Sequence, residues 1–147
     1  MKNIVALITL ILCCFSLFAC QGDNGVVSYD GTEGLDFYLL PDGTYGVAPG
    51  KATYLEEIVI PAEYNNRTVS RLLYHNSSHP YYKTVVLPST ITIIDDMAFY
   101  GCDKLETLIF KGTMEQWNAI EKTKGWNNSI TVSEVICSDG TVPLIND

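Results

Sequence analysis

Three short segments of the chain share one spacing of apolar positions. Apolar residues fall at places one, four and six of Leu55–Ile60, of Tyr82–Leu87 and of Leu105–Phe110, and the segments begin 27 and 23 residues apart. The last three places of each segment are all apolar, so both faces of a strand are addressed. Ile58, Ile60, Val85, Leu87, Leu108 and Phe110 are assigned to a buried face. Val59, Val86 and Ile109 then point the other way, in register across a sheet. A second apolar pair follows each segment: Ile91 and Ile94 after Pro88, and Met114 and Trp117 after Lys111. In the first unit the pair is displaced to Val69 and Leu72, because Glu63–Thr68 intervenes. Asn65-Asn66 within that insertion predicts a tight hairpin, since asparagine tolerates positive φ.

Leu-x-x-Leu-x-Leu at a period of 20–29 residues is the leucine-rich repeat signature. The stretch LPSTITIIDDMAFYGCDKLETLIF, Leu87–Phe110, resembles the BspA-type leucine-rich repeat of bacterial surface proteins. The features that carry the likeness are the pair Ile91 and Ile94, then Ala98-Phe99, then Gly101-Cys102, then the strand from Leu105. FYLLPDGTYGVAPG resembles the hairpin that opens such arrays, and KGTMEQWNAIEKTKGWNN followed by ICSDGTV resembles a closing segment. The resemblance spans roughly residues 35–142. Asp95 stands where the family has glycine, and YHNSSHPYY replaces Ala-Phe and Gly-Cys in the first unit. The resemblance implies a mainly β chain: a short leucine-rich-repeat-like solenoid with an N-terminal β-hairpin and a short C-terminal capping helix and strand. An irregular β sandwich is the alternative. The family implies adhesion or contact with a host or matrix protein.

The N-terminus has a different character. Met1-Lys2 is followed by an apolar run from Ile4 to Ala19, 16 residues long. A membrane-spanning helix needs about 20, so the run fits a secretion signal better. Leu17-Phe18-Ala19-Cys20 resembles the lipobox of bacterial lipoproteins. That resemblance implies lipidation of Cys20, a membrane anchor through it and, with Gln21 following, an outer-membrane or cell-surface address. The expected organisation is a leader over 1–19, a tether over 20–34 and one domain over 35–147. Loss of the leader removes one lysine and no acid, taking the formal net charge from −8 to −9. So acidic a surface repels phosphate backbones and argues against nucleic acid as a partner.

Of five cysteines only Cys102 and Cys137 fall within the domain, which is not a disulfide framework. Cys102 lies three residues after Phe99 and three before Leu105, a spacing that assigns it to the core as a small hydrophobe. Only Lys104 supplies a nearby cation, whereas a reactive thiol needs an electropositive, accessible setting. His75 and His79 have a helical ligand spacing but lie in a loop-type sequence without a third ligand. Asp95 and Asp96 are neighbours that point apart on a strand, or face a solvated turn in which Asp96 begins a helical turn over Met97–Tyr100. No metal, no cofactor and no catalysis are expected. Thr113 and Gln116 form a capping box that predicts a helix from Met114 to about Lys122, stopped near Gly125. Trp117 and Trp126 are expected to close the open end of the array. Tyr74, Tyr81 and Tyr82 surround the histidine loop and offer a contact surface. The expected function is a non-enzymatic binding or adhesion lipoprotein with a protein partner. Val59, Val86 and Ile109 are the other candidate contact residues. The alternative is carbohydrate binding by exposed tryptophan or tyrosine.

Overall fold

The computed structural model describes residues 30–74, 80–128 and 130–144. The leader, the lipobox with Cys20, and the loop histidines His75 and His79 lie outside the described residues. The fold is mainly β, with two mixed sheets and one short α-helix. The first sheet is built from β1 (Asp36–Leu39), β2 (Tyr45–Ala48), β4 (Glu63–Tyr64), β5 (Arg67–Leu72), β7 (Ile93–Ile94) and β9 (Glu121–Lys122). The second contains β3 (Glu57–Val59), β6 (Thr84–Leu87), β8 (Thr107–Phe110), β10 (Glu134–Cys137) and β11 (Gly140–Pro143).

Strand order is β1-β2-β5-β7-β9 in the first sheet, with β4 paired to β5, and β11-β10-β8-β6-β3 in the second. Within each sheet the pairs that join successive units are parallel: β2 to β5 to β7 to β9, and β3 to β6 to β8 to β10. Each step along the chain therefore crosses from one sheet to the other and returns one strand further on. Antiparallel hairpins stand at the two ends, β1 with β2 and β10 with β11. The inserted hairpin β4–β5 turns at Asn65 and Asn66, at φ 51° and 58°. Positive φ at both central residues is the geometry whose twist matches antiparallel strands.

Register explains the core. Ile58, Val85, Leu108 and Val135 line up across the second sheet, and Val47, Leu72 and Ile94 across the first. All seven are buried and belong to one apolar cluster with Ile60, Val69, Leu87, Ile91, Phe99, Cys102, Leu105 and Phe110. A single strand cannot hide its own apolar face, and repeated parallel pairing gives each such residue a like neighbour on both sides.

The ends of the second sheet are covered differently. At β3, Thr32 donates its N–H to the Val59 carbonyl, and its hydroxyl accepts the Val59 N–H, at 2.8 and 2.7 Å. Thr32 thus belongs to the folded unit, although the tether was expected to run to residue 34. At the other end β11 finishes on Pro143, and the Leu144 N–H returns to Ser133.

Two local expectations are corrected. The helix, α1, spans Met114–Ala119 rather than reaching Lys122. Ile120 takes extended backbone, and Glu121 and Lys122 instead pair with Ile93 and Ile94 of β7. The Glu121 N–H reaches the Thr92 carbonyl, and the Thr123 N–H reaches that of Ile94. The open edge of β7 offered hydrogen bonds that competed with another helical turn. It follows that Glu121-Lys122 occupies the position next to Ile93-Ile94, whereas Met114 and Trp117 lie on the helix. Secondly, Met97 sits at φ 55°, so 96–101 is a set of turns and not a right-handed helical turn.

Candidate functional site

The outward face of the second sheet repeats its residue types. Val59, Val86, Ile109 and Ile136 are successive partners across β3, β6, β8 and β10. Their neighbours two places earlier are Glu57, Thr84, Thr107 and Glu134, of which Glu57, Thr84 and Thr107 are direct partners. Val59, Val86 and Ile109 are half-buried by one another, while Ile136 at the end of the row is 42% exposed. The face is thus a continuous β-branched row beside threonine and glutamate. Beyond the glutamates, Lys83 Nζ meets Glu56 Oε1 at 3.2 Å, an exposed pair that contributes little to stability. Ile136 was not among the residues singled out in the sequence. Its signal was the run Val135-Ile136-Cys137, which alternates like the other strands but lacks a leading leucine.

The tyrosines separate into two groups. Tyr74 and Tyr81 are exposed, and Tyr81 carries Lys104 Nζ at 4.9 Å from its ring centre. Tyr82, expected in the contact surface, is buried instead. Its side chain fills the place that Leu105 fills in the next unit, and its hydroxyl lies 3.0 Å from Cys102 Sγ. A buried tyrosine keeps its polar tip by finding a partner, and the thiol supplies one. Burial and the neighbouring thiol push the Tyr82 hydroxyl far above its ordinary range. Burial likewise raises the Cys102 thiol to about 11, despite an opposing effect of the Tyr82 hydrogen bond. Cys137 is also buried, raised first by desolvation and then by Asp139. Both thiols are free. In both, burial disfavours the thiolate.

Asp95 is not the solvated carboxylate expected from its sequence. Arg71 Nε and Nη2 both lie 2.7 Å from Asp95 Oδ1, across β5 and the end of β7. Among the described residues no group of three or more histidines, cysteines or acids is arranged to hold a metal.

The end of the first sheet is closed by aromatic rings. Thr113 caps α1: its hydroxyl accepts the Gln116 N–H, and the Gln116 side chain accepts the Thr113 N–H. This orients Trp117, which is buried against Phe110 and Trp126 at ring-centre distances of 5.5 and 5.8 Å. Trp126 is half-buried and also meets Phe99 edge-on. Burial removes Trp117 from any sugar-stacking role, while Trp126 is only half-buried.

Lys122 is the unexpected residue here. It occupies the register position held by Val47, Leu72 and Ile94 in the preceding strands. Its ammonium donates to the carbonyls of Trp117 and Ile120 and stands 4.6 Å above the Trp117 ring centre. Desolvation lowers its amine to about 8. The residues that follow, Thr123–Asn128, enclose with it an open cavity of about 890 Å³. A smaller cavity, about 410 Å³, lies beyond the C-terminal ends of β3, β6 and β8, between Pro61, Pro88 and the tip Asn65-Asn66.

Comparison of the chain with protein-family models, with curated proteins and with solved structures returns no match.

Proposed function

We propose that this chain is a non-enzymatic binding module that offers the outward face of its second sheet to a protein partner. In this reading the alternating strands form a short solenoid of the BspA-type leucine-rich repeat class, and the leader and Cys20 carry it to the cell surface on a lipid anchor. Parallel pairing that returns to the same sheet once per unit supports the solenoid reading. The lipobox-like sequence supports the anchor. Shielding of both domain thiols weighs against a cysteine nucleophile.

One observation carries the binding proposal: the in-register row Val59, Val86, Ile109 and Ile136 on an otherwise acidic chain. Contiguous apolar surface rimmed by polar groups marks interaction sites in soluble proteins. Side chains already packed against one another along the parallel strands need little ordering by the partner, which lowers the entropic cost of association. The row faces a partner with matching apolar side chains, and Glu57 and Glu134 favour basic groups at its margin.

The test is capture of extracellular-matrix proteins by the immobilised full-length chain, compared with Val86→Glu and Ile136→Glu. Both substitutions point outward and leave the core columns intact. Loss of capture in both, with unchanged far-UV circular dichroism, supports the face as the contact surface. Undiminished capture by both variants removes this face from the binding role.

A further inference from the structure

The cavity at the end of the first sheet has a lining unlike the rest of the chain. It is formed by Lys122, Thr123, Lys124, Gly125, Trp126, Asn127 and Asn128. Two of the nine basic residues of the chain meet there, and the lining contains no acid. A carboxylate does come near, since Asp96 Oδ1 would lie 3.0 Å from the first side-chain carbon of any residue replacing Gly125.

Lys122 sits where the register calls for an apolar side chain. Its charge is half-buried on main-chain carbonyls and an indole face, and among the described residues the ion pairs are Arg71–Asp95 and Lys83–Glu56. The two carbonyls and the indole face compensate that charge in part, and an ammonium has three donors, so one remains for a ligand. An incoming anion would take it, with Lys124 beside it. The remaining groups are not those of a phosphate cradle. The Asn128 amide has both donors and acceptors. Thr123 donates its hydroxyl to the Ile94 carbonyl, which leaves its oxygen able to accept. Half-buried Trp126, which lines the cavity, adds apolar surface with a polar edge. Hydroxyl groups that both give and take hydrogen bonds, mounted on a ring with an apolar face, match this set.

We propose that this cavity binds a sugar carboxylate of the uronic acid type, its ring against Trp126 and its carboxylate toward Lys122 and Lys124. The cavity is open and, at about 890 Å³, lies within the range of small-ligand sites. This site lies on the first sheet and is independent of the protein-binding face on the second.

The chain has two tryptophans; Trp117 packs against Trp126, which lines the cavity. Intrinsic fluorescence of the full-length chain therefore reports on it directly. The probes are D-glucuronate, its neutral amide D-glucuronamide, and acetate. The expected result is a saturable change with glucuronate, at least about tenfold weaker with glucuronamide, a difference of about 1.4 kcal/mol, and weaker still with acetate. Lys122→Met keeps an unbranched stem and is expected to abolish the preference for the acid over the amide. Should that variant lose its far-UV signal, Lys124→Met, in the exposed part of the loop, tests the same preference. Equal response to glucuronate and glucuronamide overturns the assignment. So does equal potency of acetate, which would mean that the sugar is not read. Absence of any fluorescence change, or an unaltered preference in the folded lysine variants, overturns it as well.

Discussion

Val85 and Val86 are adjacent, identical in chemistry and on opposite faces of β6, which makes them a direct measure of the packing described above. Val85 lies in the buried column between Ile58 and Leu108, and Val86 in the outward row between Val59 and Ile109. Replacing Val85 by alanine removes two methyl groups from a site that is 3% exposed. Each is worth about 0.8 kcal/mol in transfer terms. The remaining cavity adds to this, because neighbours held by two strands collapse only in part. The expected loss is about 2–3 kcal/mol. Val86→Ala loses only cross-strand contacts, each worth roughly 0.2–1 kcal/mol, so about 1 kcal/mol is expected. A shift of about 4 °C per kcal/mol suits a domain of this size, which gives about 8–12 °C for Val85→Ala and about 4 °C for Val86→Ala. Thermal and urea unfolding of the full-length chain, followed by far-UV circular dichroism, measures both. Equal destabilisation, or a larger loss at Val86, would refute the assignment of inner and outer faces.

Lys122→Met is expected to stabilise the fold, since it substitutes an apolar stem for a half-buried ammonium in the column of Val47, Leu72 and Ile94. In the folded chain the amine is lowered to about 8 by desolvation, against 10.5 when unfolded. Below pH 8 it is charged in both states and folding carries the whole desolvation cost. Between about 8 and 10.5 the unfolded state binds more protons, so wild-type stability rises with pH and the advantage of the variant fades. A variant advantage that grows with pH would contradict this. Thr113→Ala removes the capping hydroxyl of α1 and should cost about 0.5–2 kcal/mol in urea unfolding, and no change would mean that the cap is dispensable. Cys102, raised to about 11 by burial, should resist alkylation at pH 8 until denaturant is added. Mass mapping of its peptide would disprove the burial argument by finding rapid labelling in the native chain.

How much of this was readable from the amino-acid sequence depends on the range of the determining contacts. The strands around Ile58, Val85 and Leu108 were legible, because alternation and β-branching act within a few residues. The turn at Asn65-Asn66 and the Thr113–Gln116 cap were legible for the same reason. The end of α1 was not: Ile120 and Glu121 keep a helical period, and only the vacant hydrogen-bonding edge of β7, more than 20 residues earlier, decides against it. Tyr82 shows a different failure. It holds the first place of its apolar segment, yet it stands beside a polar loop, and the two signals disagree. Register with Leu105 resolves them in favour of the core. Lys122 gave no signal at all, since a lysine after a helix reads as solvent-facing. Its position becomes visible only when β9 is laid beside Ile93-Ile94.

The clasp of Thr32 on Val59 and the placement of Pro143 have a joint consequence for how anything can approach the second sheet. Thr32 occupies both main-chain groups that Val59 turns outward. At the opposite margin Leu144 donates inward to Ser133, so alternation directs the Pro143 nitrogen outward, where proline has no hydrogen to offer. Each border thus has one position at which a foreign strand finds no free partner, which favours a broadside approach through side chains over strand-by-strand extension.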